Sequence, residues 1–109
     1  MKFREKLYVS DSIIDGSEDL VQQIQMKKPK IGIYLLTLPA NPENQLDIVP
    51  EPLLLQSYYG KHEPEIVGIA GSRKEAFALV EQMTLDAMER FGTPDIRMLL
   101  KQDRGDADD

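Results

Sequence analysis

The sequence predicts an α+β domain: a small antiparallel sheet with two helices on one face, in the chain order β-α-β-β-β-α. Apolar residues recur at three- and four-residue spacing over residues 73–91 and, more briefly, over 18–28, which is helical periodicity. Between those segments the chain breaks into short apolar or alternating stretches punctuated by Pro, Gly and Asn, the pattern of strands and turns. Three sequential strands with short connections form an antiparallel meander most economically, and two amphipathic helices then cover one face of it.

Residues 5–10 alternate weakly, Leu7 and Val9 against Lys6 and Tyr8, and read as a short first strand. Asp15-Gly16-Ser17 is a turn into the first helix, over 18–28. Ser17 is the expected N-cap, because its hydroxyl can accept from the free donors of the first turn. Glu18 and Asp19 then sit at the positive end of the helix dipole and Lys27 and Lys28 at the negative end. Leu20, Val21 and Ile24 form its apolar stripe, and Pro29 ends it.

Ile31 to Leu38 is apolar at both parities, as expected of a strand covered on both faces. Residues 39–44 are a loop rich in Pro and Asn. Leu46 to Val49 alternates, Pro50-Glu51-Pro52 interrupts, and Leu53 to Tyr59 resumes in extended form. Proline has no donor for a ladder, so 46–59 is not expected at the centre of the sheet. Gly60 to Pro64 is a turn and Glu65 to Ala70 a short strand.

The best-specified element is the second helix. Ser72 and Glu75 match the capping box S-x-x-E, Gly92 fits the left-handed C-terminal position, and Pro94 lies just beyond. Its inward residues are expected to be Phe77, Val80, Met83 or Thr84, Ala87 and Phe91. Residues 95–101 add a turn, with Ile96, Leu99 and Leu100 folding back.

The 109 residues suit one domain, residues 1–101, followed by an acidic, disordered tail over 102–109. There is no cysteine, which excludes disulfide scaffolds, thiolate metal sites and a cysteine nucleophile. Thirteen basic against nineteen acidic side chains give a net charge of −6, which opposes unspecific binding to nucleic acid or anionic lipid. The charged N-terminus leads into no apolar run of signal-peptide length, and no stretch approaches a membrane span. A cytoplasmic location is expected, with no membrane or nucleic-acid partner.

Gly68 to Lys74 is the most suggestive stretch, because it joins a strand to a helix N-terminus. Free backbone donors and the helix dipole attract anions there, and Arg73 and Lys74 add positive charge. Gly71, Ser72, Arg73 and Lys74 are therefore candidate ligand-binding residues. The stretch lacks the spacing of a phosphate loop or a dinucleotide fingerprint, and a capped tight turn is the plainer reading. Over residues 17–91 the helix–three strands–helix order also resembles the double-stranded-RNA-binding domain, in which a basic cluster at this helix start contacts phosphates. The match in residues is confined to Gly71–Lys74. Phe77 stands near where a further lysine would be wanted, and the family's minor-groove loop motif has no counterpart.

His62 is the only histidine, beside Glu63 and near Glu65. It is a candidate base or ligand contact, although a lone His in Lys-His-Glu-Pro is usually a solvated turn residue. One His plus carboxylates is a poor metal set, so no metal or cofactor is expected. Arg104-Gly105-Asp106 is a chance tripeptide in an Asp-rich tail. No catalytic triad or nucleophile elbow is present.

Two functions of different class follow. The first is a non-catalytic protein-interaction or accessory module that self-associates as a homodimer. Leu53, Leu54, Leu55, Tyr58 and Tyr59 would form its interface, as an uncharged edge strand with one apolar face uncovered. The alternative is a small-ligand or anion-binding domain that uses the Gly68–Lys74 turn with His62.

Overall fold

The computed structural model describes residues 2–26, 28–38, 46–54 and 65–103. Along the chain these form β1 (Lys2–Val9), a 3₁₀ turn (Asp11–Ile13), α1 (Ser17–Gln25), β2 (Tyr34–Leu38) and β3 (Asp47–Pro50). The one-turn helix α2 (Glu51–Leu54), β4 (Glu65–Ala70), α3 (Arg73–Phe91) and α4 (Ile96–Asp103) follow. The class is α+β, as the sequence predicts.

The sheet is not a meander. Its order is β1-β4-β2-β3, with β1 parallel to β4 and the other two pairs antiparallel. Composition explains this order. β4 and β2 are apolar at both parities and take the two central places, where both faces are covered. β1 carries Lys2, Arg4, Glu5 and Lys6, and β3 ends in Pro50; charge and proline both suit a sheet edge.

The helices likewise do not share a face. Ile24 of α1 packs with Leu35, Val49, Ile66 and Ile69 on one side of the sheet. Ala76, Met83 and Ala87 of α3, with Ile96, Leu99 and Leu100 of α4, pack with Leu36, Val67 and Ala70 on the other. Alternation along β2 sends Leu35 and Leu36 to opposite layers. In β4 the alternation is broken by a bulge. Pairing passes from Leu36↔Gly68 to Thr37↔Ile66, so Val67 is one residue extra. That shift lets Ile66 and Ile69, three apart, both face α1. The meander and the shared helix face, on which the resemblance to the double-stranded-RNA-binding domain depended, are therefore both absent.

Several local expectations are met. Ile96, Leu99 and Leu100 are buried, α3 begins at its Ser72 cap, and Gly92 closes it at φ 71°. Asp95 caps α4 by accepting from the Met98 N–H at 3.1 Å. The buried Arg4 reaches across the chain to donate to the Leu100 carbonyl at 3.1 Å, placing a cation at the end of α4 that favours it. α4 runs on to Asp103, so the first two residues assigned to the tail are helical; 104–109 lie outside the described residues.

Other expectations are corrected. Gly16, at φ 85°, precedes α1, and Ser17 is its first helical residue and makes no capping bond. Phe77 is 53% exposed rather than inward. Leu53 and Leu54 belong to the helical turn α2, not to an extended strand. Proline is tolerated in a first helical turn, and Pro52 occupies it here.

Glu51 shows what holds α2 in place. Its N–H donates to the Ile33 carbonyl at 2.9 Å, and its carboxylate Oε2 accepts from the Lys30 N–H. The side chain is fully buried, and Oε1 has no hydrogen-bond partner among the described residues. Burial raises its pKa, against the opposing pull of the Lys30 N–H and the Lys30 charge.

Two predictions follow from the packing. Met83→Asp, at a fully buried site, is expected to abolish cooperative thermal unfolding, whereas Phe77→Asp leaves it intact. Equal behaviour of the two variants would mean that α3 is rotated from its described face. Glu51 holds its proton more tightly when folded, so it costs stability as pH rises above the ordinary carboxylate pKa and through its raised folded value. Glu51→Gln removes that loss and is expected to stabilise the neutral-pH protein by about 1 kcal/mol. The melting-temperature difference from wild type should grow between acid and neutral pH; a constant difference would contradict the buried-acid assignment.

Candidate functional site

Parallel pairing decides which segments meet. Because β1 and β4 run the same way, their C-terminal ends emerge at the same end of the sheet. Ser10 to Ser12, after β1, are thereby brought against Gly71 to Glu75, after β4, although some sixty positions separate them in the chain.

The junction is tied by hydroxyls. The Ser10 N–H extends the ladder to the Ile69 carbonyl at 3.1 Å, and Ser10 Oγ accepts from the Gly71 N–H at 3.0 Å. Ser72 Oγ accepts from the Glu75 N–H at 3.1 Å, as an N-cap should. The Glu75 carboxylate does not turn back to complete the box through the Ser72 backbone; Ser72 Oγ lies 3.4 Å from its Oε2 and donates there. Ser12 Oγ donates to its Oε1 at 2.7 Å. The Ser10 and Ser12 hydroxyls, Ser10 foremost, hold Glu75 below the usual carboxylate range. Gly71 permits this closeness, since a Cβ there would collide with Ser12 Oγ and lie 3.0 Å from Ile13 Cγ2.

Beside this junction runs an open groove of about 730 Å³, between the end of β1 and the first turns of α3. Tyr8, Val9, Ala78 and Leu79 form apolar wall, and Ser10, Asp11, Ser12, Glu75 and Gln82 are its polar lining. Asp11 and Glu75 make the groove's formal charge negative. Among the described residues no cluster of three or more His, Asp or Glu side chains is placed to hold a metal ion.

The sequence candidates are divided by this geometry. Gly71 and Ser72 belong to the junction, and two of the donors near an anion's expected position are engaged: Gly71 N–H by Ser10 and Glu75 N–H by Ser72. Arg73 and Lys74 are exposed, and the Arg73 guanidinium lies 5.7 Å from the Phe77 ring centroid. Leu53 is 39% exposed on α2, and Leu54 is placed only as part of that turn. His62, Leu55, Tyr58 and Tyr59 lie outside the described residues. Sequence reasoning missed Tyr8, Ser10, Asp11, Ser12 and Gln82. A polar Ser-Asp-Ser run directly after a strand was the available signal, and only the strand order reveals what it faces.

No family model, curated protein or solved structure matches this chain, so function is argued from the chemistry alone. Ser72→Ala is expected to cost about 1 kcal/mol of stability in chemical denaturation. Ser12→Ala should raise the Glu75 pKa toward its ordinary value, read by carboxyl-carbon NMR titration. Glu75 is lowered when folded, so its contribution is present above the ordinary carboxylate pKa and is lost as pH falls through the folded value. An unmoved Glu75 titration in Ser12→Ala would show that the Ser12 bond is not formed in solution.

Proposed function

We propose that this chain is a non-catalytic protein-interaction module that self-associates through the outer face of α3. The observation that carries the reading is the exposure of Phe77, Leu85 and Met88, at 53%, 56% and 45%. At 100° per residue these three fall within about 80° of one another, on one face of the helix that also carries the exposed Glu81. The same helix buries Ala76, Met83 and Ala87 on another side, so its interior packing is already complete without that face.

A second copy of the chain fits this face. In an antiparallel two-fold pairing centred between Gln82 and Met83, Phe77 of one copy meets Met88 of the other, twice over. Sulfur–aromatic contact is favourable, and methionine adapts to an imperfect fit. Leu85 flanks the pair and is half-exposed in the single chain. This interface is chosen over the expected edge strand at 53–59, of which Leu53 and Leu54 form a helical turn and 55–59 lie outside the described residues.

Light scattering at roughly 10–100 µM tests the reading, since association follows mass action. The 12.4 kDa chain is expected to run as a dimer, and Met88→Lys or Leu85→Lys to return it to a monomer with its melting intact. A monomer throughout that range would overturn the proposal. A dimer unaffected by both substitutions would move the interface elsewhere.

A further inference from the structure

We infer that the groove between the end of β1 and α3 binds a small primary ammonium compound with an aliphatic arm. The inference is independent of self-association, because none of the groove residues is Phe77, Leu85 or Met88.

The sign of the charge comes first. The sequence sets Arg73 and Lys74 at this helix start, yet neither lines the groove; Asp11 and Glu75 do. An anion entering here would meet two carboxylates and find the Gly71 and Glu75 amides already bonded. A cation meets the reverse situation.

The donor count then narrows the class. An ammonium group offers three N–H donors. Glu75 accepts from the Ser12 and Ser72 hydroxyls, with the Ser10 hydroxyl and the Ser12 N–H as further partners, so its acceptor positions are taken and it meets a cation through its charge. Asp11, exposed on the same wall, supplies the carboxylate oxygens that accept from the ammonium. A calcium ion wants six to eight oxygens and magnesium a near-ideal octahedron, which two carboxylates do not supply. The compact ammonium fits the set better than a metal does.

The apolar wall specifies the rest. Tyr8, Val9, Ala78 and Leu79 face the same space, and the volume of about 730 Å³ lies within the range of small-molecule sites. A polar end without an apolar arm would leave this wall wet. An alkyl arm of a few carbons laid along Leu79 and Tyr8 removes that surface from water while the ammonium stays at Asp11 and Glu75. Glu75 is also held in place before a ligand arrives, since three serine hydroxyls anchor it.

The test titrates n-hexylammonium, n-hexanol and hexanoate into the full chain at low salt and follows backbone amide shifts. Hexylammonium is expected to give saturable shifts over Tyr8–Ser12 and Glu75–Gln82, with hexanol at least roughly tenfold weaker and hexanoate silent. Glu75→Gln and Asp11→Asn are each expected to weaken hexylammonium by about tenfold or more, while Lys74→Gln binds as wild type. Should Glu75→Gln fail to fold, Asp11→Asn, a change at an exposed side chain, decides alone. The monomeric Leu85→Lys variant should bind unchanged, which separates this result from the fate of the dimer. Equal binding of hexanol and hexylammonium, shifts elsewhere only, no saturable shift, or undiminished binding by Asp11→Asn would each overturn the inference.

Discussion

The parallel pairing of β1 with β4 is the constraint from which the remaining architecture follows. It inserts β4 between β1 and β2, so the last strand in sequence becomes an interior strand of the sheet. An interior strand must be apolar toward both layers, and Ile66, Val67, Ile69 and Ala70 are all fully buried. It also demands helices on both faces, because a mixed sheet with such a centre cannot leave one side wet. α1 covers one side, and α3 with α4 the other. The bulge at Val67 adjusts which side chains reach which layer without moving the strand.

Local features were readable because local chemistry determines them. The Ser72 cap, the Gly92 stop, the turn at Gly16 and the inward face of 96–100 each depend on residues within a few positions of one another. The edge position of 46–50 was also readable, since Pro50 has no donor to offer. Strand order was not. An apolar run at both parities announces a central strand but not its neighbours, and the meander assumption chose sequential ones. Ile66 to Ala70 carry the same double-sided signal as Leu35 and Leu36, and giving it equal weight would have argued for two central strands and two covered faces. Phe77 misled for a different reason: its spacing fits the apolar pattern of α3, but so does the spacing of any residue on a helix with two apolar sides. Glu51 was hidden because a carboxylate between two prolines reads as a solvated turn, and its burial depends on Lys30 and Ile33, some twenty positions earlier.

The candidate site was half legible for the same reason. Gly71 to Glu75 carry a signature that a single segment can show, namely a capped helix start. Their partners, Ser10 to Ser12, carry none until the parallel register is known. A site built from two strand ends is therefore beyond any reading that treats segments one at a time.

Helix starts attract anions while their donors and dipole remain uncompensated, and here two donors and part of the dipole are answered from within the chain. Ser72 occupies the Glu75 amide, Ser10 occupies the Gly71 amide, and the Glu75 carboxylate supplies negative charge in the first turn. A phosphate arriving at this point would meet a carboxylate already fastened by serine hydroxyls and would find the Gly71 and Glu75 amides bonded elsewhere. The exposed Arg73 and Lys74 do not reverse this, because solvent screens them and Arg73 already lies against Phe77. The basic pair that drew attention in the sequence thus belongs to the outer surface of α3, and the acidic residue beside it, which completes the cap, is the one that faces the groove.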